Sequence, residues 1–557
     1  MIDETYVLII GGGPVGLTLA IDLGKRGVPT IVVNEHPGTA RHPKCNMVNG
    51  RTMEHYRRLG VADAIRAVGH ASDFPRAVAY RTRFCGFEIG RIDLSFLAQA
   101  GWPGPENPCH VSQIDIEPVL KEAAERQPAI SVRFGWKATS LRQTDEGVEA
   151  AIEEAASGER RTVRARYAVG CDGARSTVRD LIGTGMVGED GTAIRKFVSG
   201  TMIAYYFRSD NLLQRAGHEP ALMTWIMNHD ARGYVMTQSG GNRFVAHFQV
   251  PGDIDWQTVE SADVLERMLG PGINYEIISQ GPWTGGLARV AEYYAKGDIF
   301  IAGDAAHLFT PLGGFGLNTG VGDVINLGWK LAAAYDGWAG PGLLATYHDE
   351  RQPIGWRNTR LGVACAARKD GWEIPQDIEE DTPQAEAKRK ALGAHVEVDD
   401  LQEYATIGVQ LGERYVSPVI AANAGDIQLA DLWDRYIPSD QAGGRAPHFY
   451  LPDGRSLYDA LGEGFILLAF GGEGSEPLEQ AALARGVPLT VVRLTDYPAD
   501  YHRALVLIRP DHQIAWSGDT LPSDPLALVD QIRGAWPVDT YTGRNTIIGR
   551  HSSAASS

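Results

Sequence analysis

The chain has 557 residues, 44% hydrophobic and 22% charged, enough for two or three folded domains of ordinary composition. A formal net charge of −17 excludes a main role in gripping polyphosphate backbones, which runs on clustered Lys and Arg. No run approaches the roughly 18 apolar residues of a membrane span. No signal-peptide pattern opens the chain, and the five cysteines (Cys45, Cys85, Cys109, Cys171, Cys365) show no CxxC spacing. The expectation is a cytoplasmic protein with neither nucleic acid nor membrane as partner, and with no disulfide framework or metal site.

In chain order, Tyr6-Val7-Leu8-Ile9-Ile10 reads as a buried parallel strand. It runs into Gly11-Gly12-Gly13-Pro14-Val15-Gly16 and then a helical pattern. Gly11, Gly13 and Gly16 fill GxGxxG: a tight turn, a close approach for pyrophosphate, and close helix–strand packing. Pro14 and Val15 stand where the helix N-terminus offers free N–H groups. A second strand, 30–33, ends at Asn34-Glu35, and Glu35 lies nineteen residues past Gly16, where a carboxylate takes ribose hydroxyls. This much indicates an adenine dinucleotide and leaves NAD and FAD both open.

Residues 198–207, 222–228, 233–238 and 243–250 are β-like with turn residues between them, which predicts an inserted antiparallel sheet. Met223, Trp225 and Met227 share one face of their strand, and His247 and Gln249 share a face of another. Downstream, an apolar strand ends at Gly303-Asp304-Ala305-Ala306-His307. A glycine-rich loop, Pro311-Leu312-Gly313-Gly314-Phe315-Gly316-Leu317-Asn318, follows it, and 322–335 reads as a helix. A carboxylate just past a buried strand can accept from a ribityl hydroxyl, and loop glycines let amides approach a flat ring. Residues 373–400 are charged and read as a solvated connection or exposed helix. From about 445, strands alternate with helical segments in a small α/β unit with no cysteine, and the tail from 541 lacks apolar pattern.

The two glycine clusters, with Gly170-Cys171-Asp172-Gly173-Ala174-Arg175-Ser176 between them in that order, resemble the group A flavoprotein monooxygenases, the p-hydroxybenzoate hydroxylase and phenol hydroxylase superfamily. The resemblance spans roughly 1–360. It implies a mixed α/β and α+β fold: a Rossmann-like FAD-binding domain with an inserted antiparallel substrate sheet, plus a thioredoxin-like C-terminal domain. The expected divisions are FAD-binding parts at 1–190 and 286–370, the substrate sheet at 191–285, a helical connection at 371–440, the thioredoxin-like domain at 441–540 and a flexible tail at 541–557. It also implies FAD as cofactor, NADPH or NADH as co-substrate without a second nucleotide fold, and a homodimer.

By the same resemblance, Asp172 serves FAD and the transient NAD(P)H, and Gln113 touches the flavin side. Arg51 matches a cofactor-loop position, and Lys44 stands for an arginine often found there. Pro311 lies by the reactive flavin carbon, and the amides of Gly316, Leu317 and Asn318 face the pyrimidine edge. In the family, reduced FAD and oxygen form a C4a-hydroperoxide that hands an electrophilic oxygen to a phenolic ring. A phenol of pKa about 10 must give up its proton to become electron-rich, and the pocket must stay dry.

His247, where relatives carry Tyr, is a candidate to hydrogen-bond or deprotonate the substrate hydroxyl; a satisfied sheet histidine is the alternative. Asn46 stands where some relatives carry an acid near the substrate. Met223, Trp225, Met227, Gln249 and Phe315 are candidates to line the pocket, each otherwise ordinary core. The carboxylate-gripping arginine of the benzoate hydroxylases has no counterpart among Gln238, Ser239 and Gly240. The expected substrate is therefore a phenol without a ring carboxylate. A polyketide or antibiotic-type aromatic oxygenase, and a FAD-binding module without catalysis, stand as alternatives.

Overall fold

A computed structural model describes residues 2–98, 101–188, 202–250, 255–283, 288–310, 312–471 and 474–536. Pro311, the 190/191 boundary and the tail 541–557 lie outside the described residues.

The nucleotide sheet has Ile2–Ile10 at its centre, parallel to Thr30–Asn34 on one side and Arg160–Gly170 on the other. Ile130–Phe134 and Ile299–Ile301 extend it in parallel at the two flanks. Its central strands are apolar and buried in their C-terminal halves, where Val7, Leu8, Ile9 and Val169 are wholly buried. The register carries the functional consequence. Ile10 lies opposite Val33 and Gly170, and Gly170 lies opposite Ile301. The turns after these strands, at Gly11, Asn34, Cys171 and Ala302, therefore leave one edge of the sheet side by side, the crevice where open α/β sheets bind ligands.

The second sheet has seven strands in the order Glu276–Trp283, Met202–Arg208, Arg243–Gln249, Arg232–Thr237, Met223–Met227, Ala77–Arg81, Glu88–Asp93. Two features differ from the expected insertion at 191–285. Ala77–Arg81 and Glu88–Asp93 come from the first FAD-binding segment, and Met223–Met227 pairs with Ala77–Arg81 in parallel. Strand partners far apart in the chain leave no mark on local periodicity, so the pattern of 77–93 could not name its sheet. One face of the sheet packs on helix Ser261–Leu269 through Phe207, Val235, Phe244 and Phe248.

The helix expected at 322–335 begins earlier, as Phe315–Tyr335. Gly316 and Gly320 mask its pattern, since glycine disfavours a helix interior by about 1 kcal/mol. At Gly320 a Cβ would lie 2.7 Å from Val15 Cγ2, so the contact between the two glycine motifs requires its absence. In the connection, Pro383–Tyr404 forms a helix whose last turns are not solvated: Asp400 and Glu403 are buried. The C-terminal unit is a four-stranded sheet, Leu489–Leu494, Phe465–Phe470, Leu505–Ile508, Ile514–Gly518, with helices Glu476–Ala484 and Pro525–Ile532. It shares a core with the nucleotide-sheet half through Trp329, Trp338 and Phe465. Among the described residues no helix is long and apolar enough to cross a membrane.

Candidate active site

The three glycines of the first motif behave differently, and the difference marks a ligand space. Gly11 has φ +113°, and a Cβ there would lie 2.2 Å from the Cys171 oxygen; one on Gly16 would lie 2.0 Å from the Gly11 oxygen. Both are filled by protein. A Cβ on Gly13 would meet nothing within 4 Å. Gly13 is also the N-cap of helix Pro14–Lys25, which has no side-chain cap and no acidic residue in its first turn. Free amides, a positive helix end and open space at one point fit a diphosphate. Asn34 Oδ1 accepts from Gly12 N at 3.1 Å and steadies the turn, a role the sequence did not reveal. Glu35 is exposed at the end of its strand, beside His36 and Lys137.

Val15 packs on Gly303, joining the first motif to the second. Asp304 is reachable by solvent while protein crowds it. Burial pushes its carboxyl above the usual range, against the pull of His307 and Lys44. A Cβ on Gly316 would come 3.9 Å from Asp304 Oδ1, so the carboxylate faces the start of helix Phe315–Tyr335. That helix also lacks a side-chain cap and an acidic first turn, and Gly314 at its N-cap has φ 64°. Asn318 braces it: Nδ2 donates to the Met47 and Gly314 oxygens, and Oδ1 accepts from Asn49 N. Open space at Gly13, an accessible Asp304 and two uncapped helix starts along one crevice fit an elongated dinucleotide such as FAD.

Other expected cofactor residues are placed as supports. Gln113 Nε2 donates to Glu117, whose other oxygen takes Ala40 N, so the pair pins the loop that carries exposed Lys44. Asp172 accepts from Ser176 Oγ and Val178 N, bracing the start of helix Thr177–Ile182, whose N-cap is Ser176. Arg51 is not brought to the glycine turn: it bonds Glu54 and the Asp511 oxygen of the C-terminal unit.

The inner face of the second sheet meets the loop before helix Phe315–Tyr335. Trp225, Met227, Tyr234, Met236, Val245, Leu312 and Phe315 form one buried cluster, with Met223 and Trp283 against it. His247 stands in this wall, its ring 4.7 Å from Tyr234 in a stack and 5.1 Å from Trp283 edge-on. Its Nδ1 is buried without a hydrogen-bond partner, and burial lowers its pKa to about 3. The imidazole is therefore neutral and can accept. Asn46 Nδ2 reaches Met236 Sδ at 2.9 Å, which puts it on the same wall. Gln238, at the end of Arg232–Thr237, is buried with both amide atoms unpartnered. Gln249 follows His247 by one pleat at the strand end. Tyr234 and Trp283 were not singled out from sequence; their strands carried the signal, since alternation puts Tyr234 on the Met236 face.

Comparison with known proteins agrees with this geometry. A family model described as "FAD binding domain" matches residues 4–361, and one described as "Aromatic-ring hydroxylase, C-terminal" matches 439–535. The chain is 34% identical to FAD-dependent monooxygenase apdD of Emericella nidulans, covering 93% of this chain and 88% of that protein. It is 32% identical to 4-methyl-5-nitrocatechol 5-monooxygenase of Burkholderia sp, covering 95% and 97%. Solved structures of the rebeccamycin biosynthetic enzyme RebC, with reduced flavin and with bound 7-carboxy-K252c, superpose with a TM-score of 0.88 at 35% identity, covering 96% of this chain and 100% of theirs. The chain belongs to the FAD-dependent aromatic-ring hydroxylases and is a flavoprotein monooxygenase.

Proposed function

We propose that this enzyme hydroxylates a phenolic ring that carries no carboxylate, with the ring lying between the His247 wall and the loop at Leu312–Gly314. Gly13 and the Pro14 helix would hold the FAD diphosphate, Glu35 the ribose, Asp304 the ribityl chain, and the amides from Gly316 to Asn318 the pyrimidine edge. Bound there, FAD supplies the reduction of oxygen that makes insertion of one oxygen atom possible. NADH or NADPH as hydride donor, the homodimer and the cytoplasmic setting belong to the same reading.

The observation that carries it is the buried, unpartnered Nδ1 of His247 in an aromatic wall. A phenol O–H donating to it would satisfy both groups. The donated proton does not transfer fully, because burial holds the imidazole at about 3, far less basic than the anion of a phenol near about 10. His247 thus draws electron density from the O–H bond into the ring as an acceptor, and full deprotonation is left to a stronger base. Two cations beside the wall, Lys369 and Arg243, are paired with Asp400 and Asp115, so neither is free to take a ring carboxylate. The test is NAD(P)H oxidation with product and peroxide both measured, across phenols with and without a ring carboxylate. Peroxide alone from every neutral phenol defeats the reading.

A fused polycyclic phenol is the second reading, and Gln238 favours it. It lies four residues along the strand from Tyr234, roughly 13 Å at the strand rise, with Met236 between. Two unpartnered polar ends at that spacing suit several fused rings with oxygens at both ends.

A further inference from the structure

Lys369, Asp400 and Glu403 form a buried cluster between the substrate wall and the flavin loop. Their side chains are 0%, 3% and 4% exposed. Lys369 Nζ lies 3.0 Å from Glu403 Oε2 and bonds Asp400, with the Trp225 and Trp372 rings 4.5 and 4.7 Å away. Tyr80 donates to the second Asp400 oxygen at 2.5 Å. Glu403 Oε1 accepts the Gly313 amide at 3.2 Å, and Gly313 sits at φ 80° in the loop to which the proposed function assigns the flavin ring.

The charges do not balance if both acids ionise. One ammonium and two carboxylates would leave the trio with one negative charge in excess among buried side chains, which costs several kcal/mol. Asp400 has two donors, Lys369 and Tyr80. Glu403 has the backbone amide on Oε1, while Oε2 has Lys369 at ion-pair distance and no hydrogen bond among the described residues. Burial and the neighbouring Asp400 push its carboxyl up, against Lys369 and the amide. The other titratable and charged groups around the cluster include Cys365 and Arg368 on helix Thr346–Asp370, Tyr80 and Tyr234 on the sheet, Arg232 on the Lys369 carbonyl, and Tyr404 on its own helix.

We propose that Glu403 is a positioning residue that keeps a proton: neutral, it seats the Gly313 amide and leaves the aromatic pocket without a negative charge. The function follows from Coulomb's law. A carboxylate on the pocket wall would oppose withdrawal of the phenol's proton, whereas the neutral acid with the Lys369–Asp400 pair does not. This use of Glu403 rests on the proposed phenol chemistry; its proton and its grip on Gly313 do not.

The test uses the holoenzyme with Glu403→Gln, an isostere of the neutral acid, and Glu403→Ala. The wild type should lose thermal stability relative to Glu403→Gln as pH rises from about 4.3, the unfolded carboxyl's value, until the folded carboxyl ionises, because a raised folded pKa gives stability that is lost between the two. Its flavin absorbance should shift over the same range, and the Gln variant's should not. Glu403→Ala should release FAD about tenfold more readily, the size of one lost bond to a backbone donor, and Glu403→Gln should retain it. A Gln variant that titrates like the wild type, or an Ala variant that holds FAD as tightly, overturns the proposal. Failure of any phenol to bind defeats the proposed function and leaves these readouts standing.

Discussion

Arg351 donates Nε–H to Asp323 Oδ1 across 2.9 Å, and neither side chain is exposed. The other Asp323 oxygen accepts from Gly303 N and pairs with His307 Nε2. Arg351 also reaches the Thr319 oxygen, Glu413 and Tyr415. One guanidinium therefore ties the Gly303-Asp304 turn to the helix that follows it and to the connection at 413–415. Burial opposes the charge on Asp323, but His307 and Arg351 outweigh it and hold the carboxyl below its usual range.

Arg351→Met should cost about 3–5 kcal/mol, since it leaves a buried carboxylate short of its partner. Arg351→Lys should recover little, because a point donor cannot serve four acceptors. Urea unfolding followed by flavin fluorescence measures both effects, and FAD release should accompany the loss of stability. An unchanged midpoint would refute the role.

Gly13→Ala and Gly16→Ala should separate binding from folding. The first adds a methyl in open space at a helix N-cap and should cost within about 1 kcal/mol of stability. It should nevertheless weaken FAD tenfold or more, because the methyl occupies the diphosphate space. The second drives a methyl to 2.0 Å from a backbone oxygen and should destabilise the apoprotein itself. Apoprotein melting and FAD titration distinguish them. Equal FAD affinity in Gly13→Ala and the wild type would remove the diphosphate from this turn.

His247→Phe should lower product formed per NAD(P)H oxidised and raise the share released as peroxide. No limb of the rate profile between pH 5 and 9 should move, because the imidazole is already neutral there. Stability behaves differently. Between about 6.5 and 3 the unfolded chain binds a proton that the folded histidine refuses, so stability falls as pH falls. Removing that group should spare about 2–3 kcal/mol of the loss between pH 7 and 4.5. Acid titrations of both proteins in urea check the sign.

Arg509 forks Glu350 at 2.6 and 2.9 Å and also bonds Asp511, while Lys330 holds Glu350 from the flavin-side helix at 2.8 Å. Burial disfavours the Glu350 charge, but Arg509 and Lys330 outweigh it and keep the carboxyl far below the usual range. The stability this supplies is present above about pH 4.3 and disappears on acidification. Arg509→Met should lower the unfolding midpoint and loosen FAD, linking the C-terminal unit to the cofactor half. Salt to 1 M should not mimic it, since ions do not screen a pair without solvent exposure. Full FAD retention in Arg509→Met would make the C-terminal unit independent of the site.

Much of this protein was legible one motif at a time. Gly11, Gly13 and Gly16, the Gly303-Asp304 turn and the strands carrying Trp225 and His247 are local patterns, because a tight turn or a pleat constrains residues only a few places apart. Helix Pro383–Tyr404 was less legible, since charged residues on its outer faces hide that Asp400 and Glu403 turn inward. Arg51 shows the reverse case: its motif is present, yet its side chain serves the C-terminal contact.

The sequence by itself indicated an adenine dinucleotide, and its resemblance to a known family implied FAD, the inserted sheet and the C-terminal unit. Tertiary structure decided what register and burial control: that Ile10, Gly170 and Ile301 end together so three distant turns make one crevice, that 77–93 joins the substrate sheet, and that Lys369 meets Glu403 beside Gly313. Such pairings depend on free energy shared among residues tens to hundreds of positions apart. No local period in the chain records them.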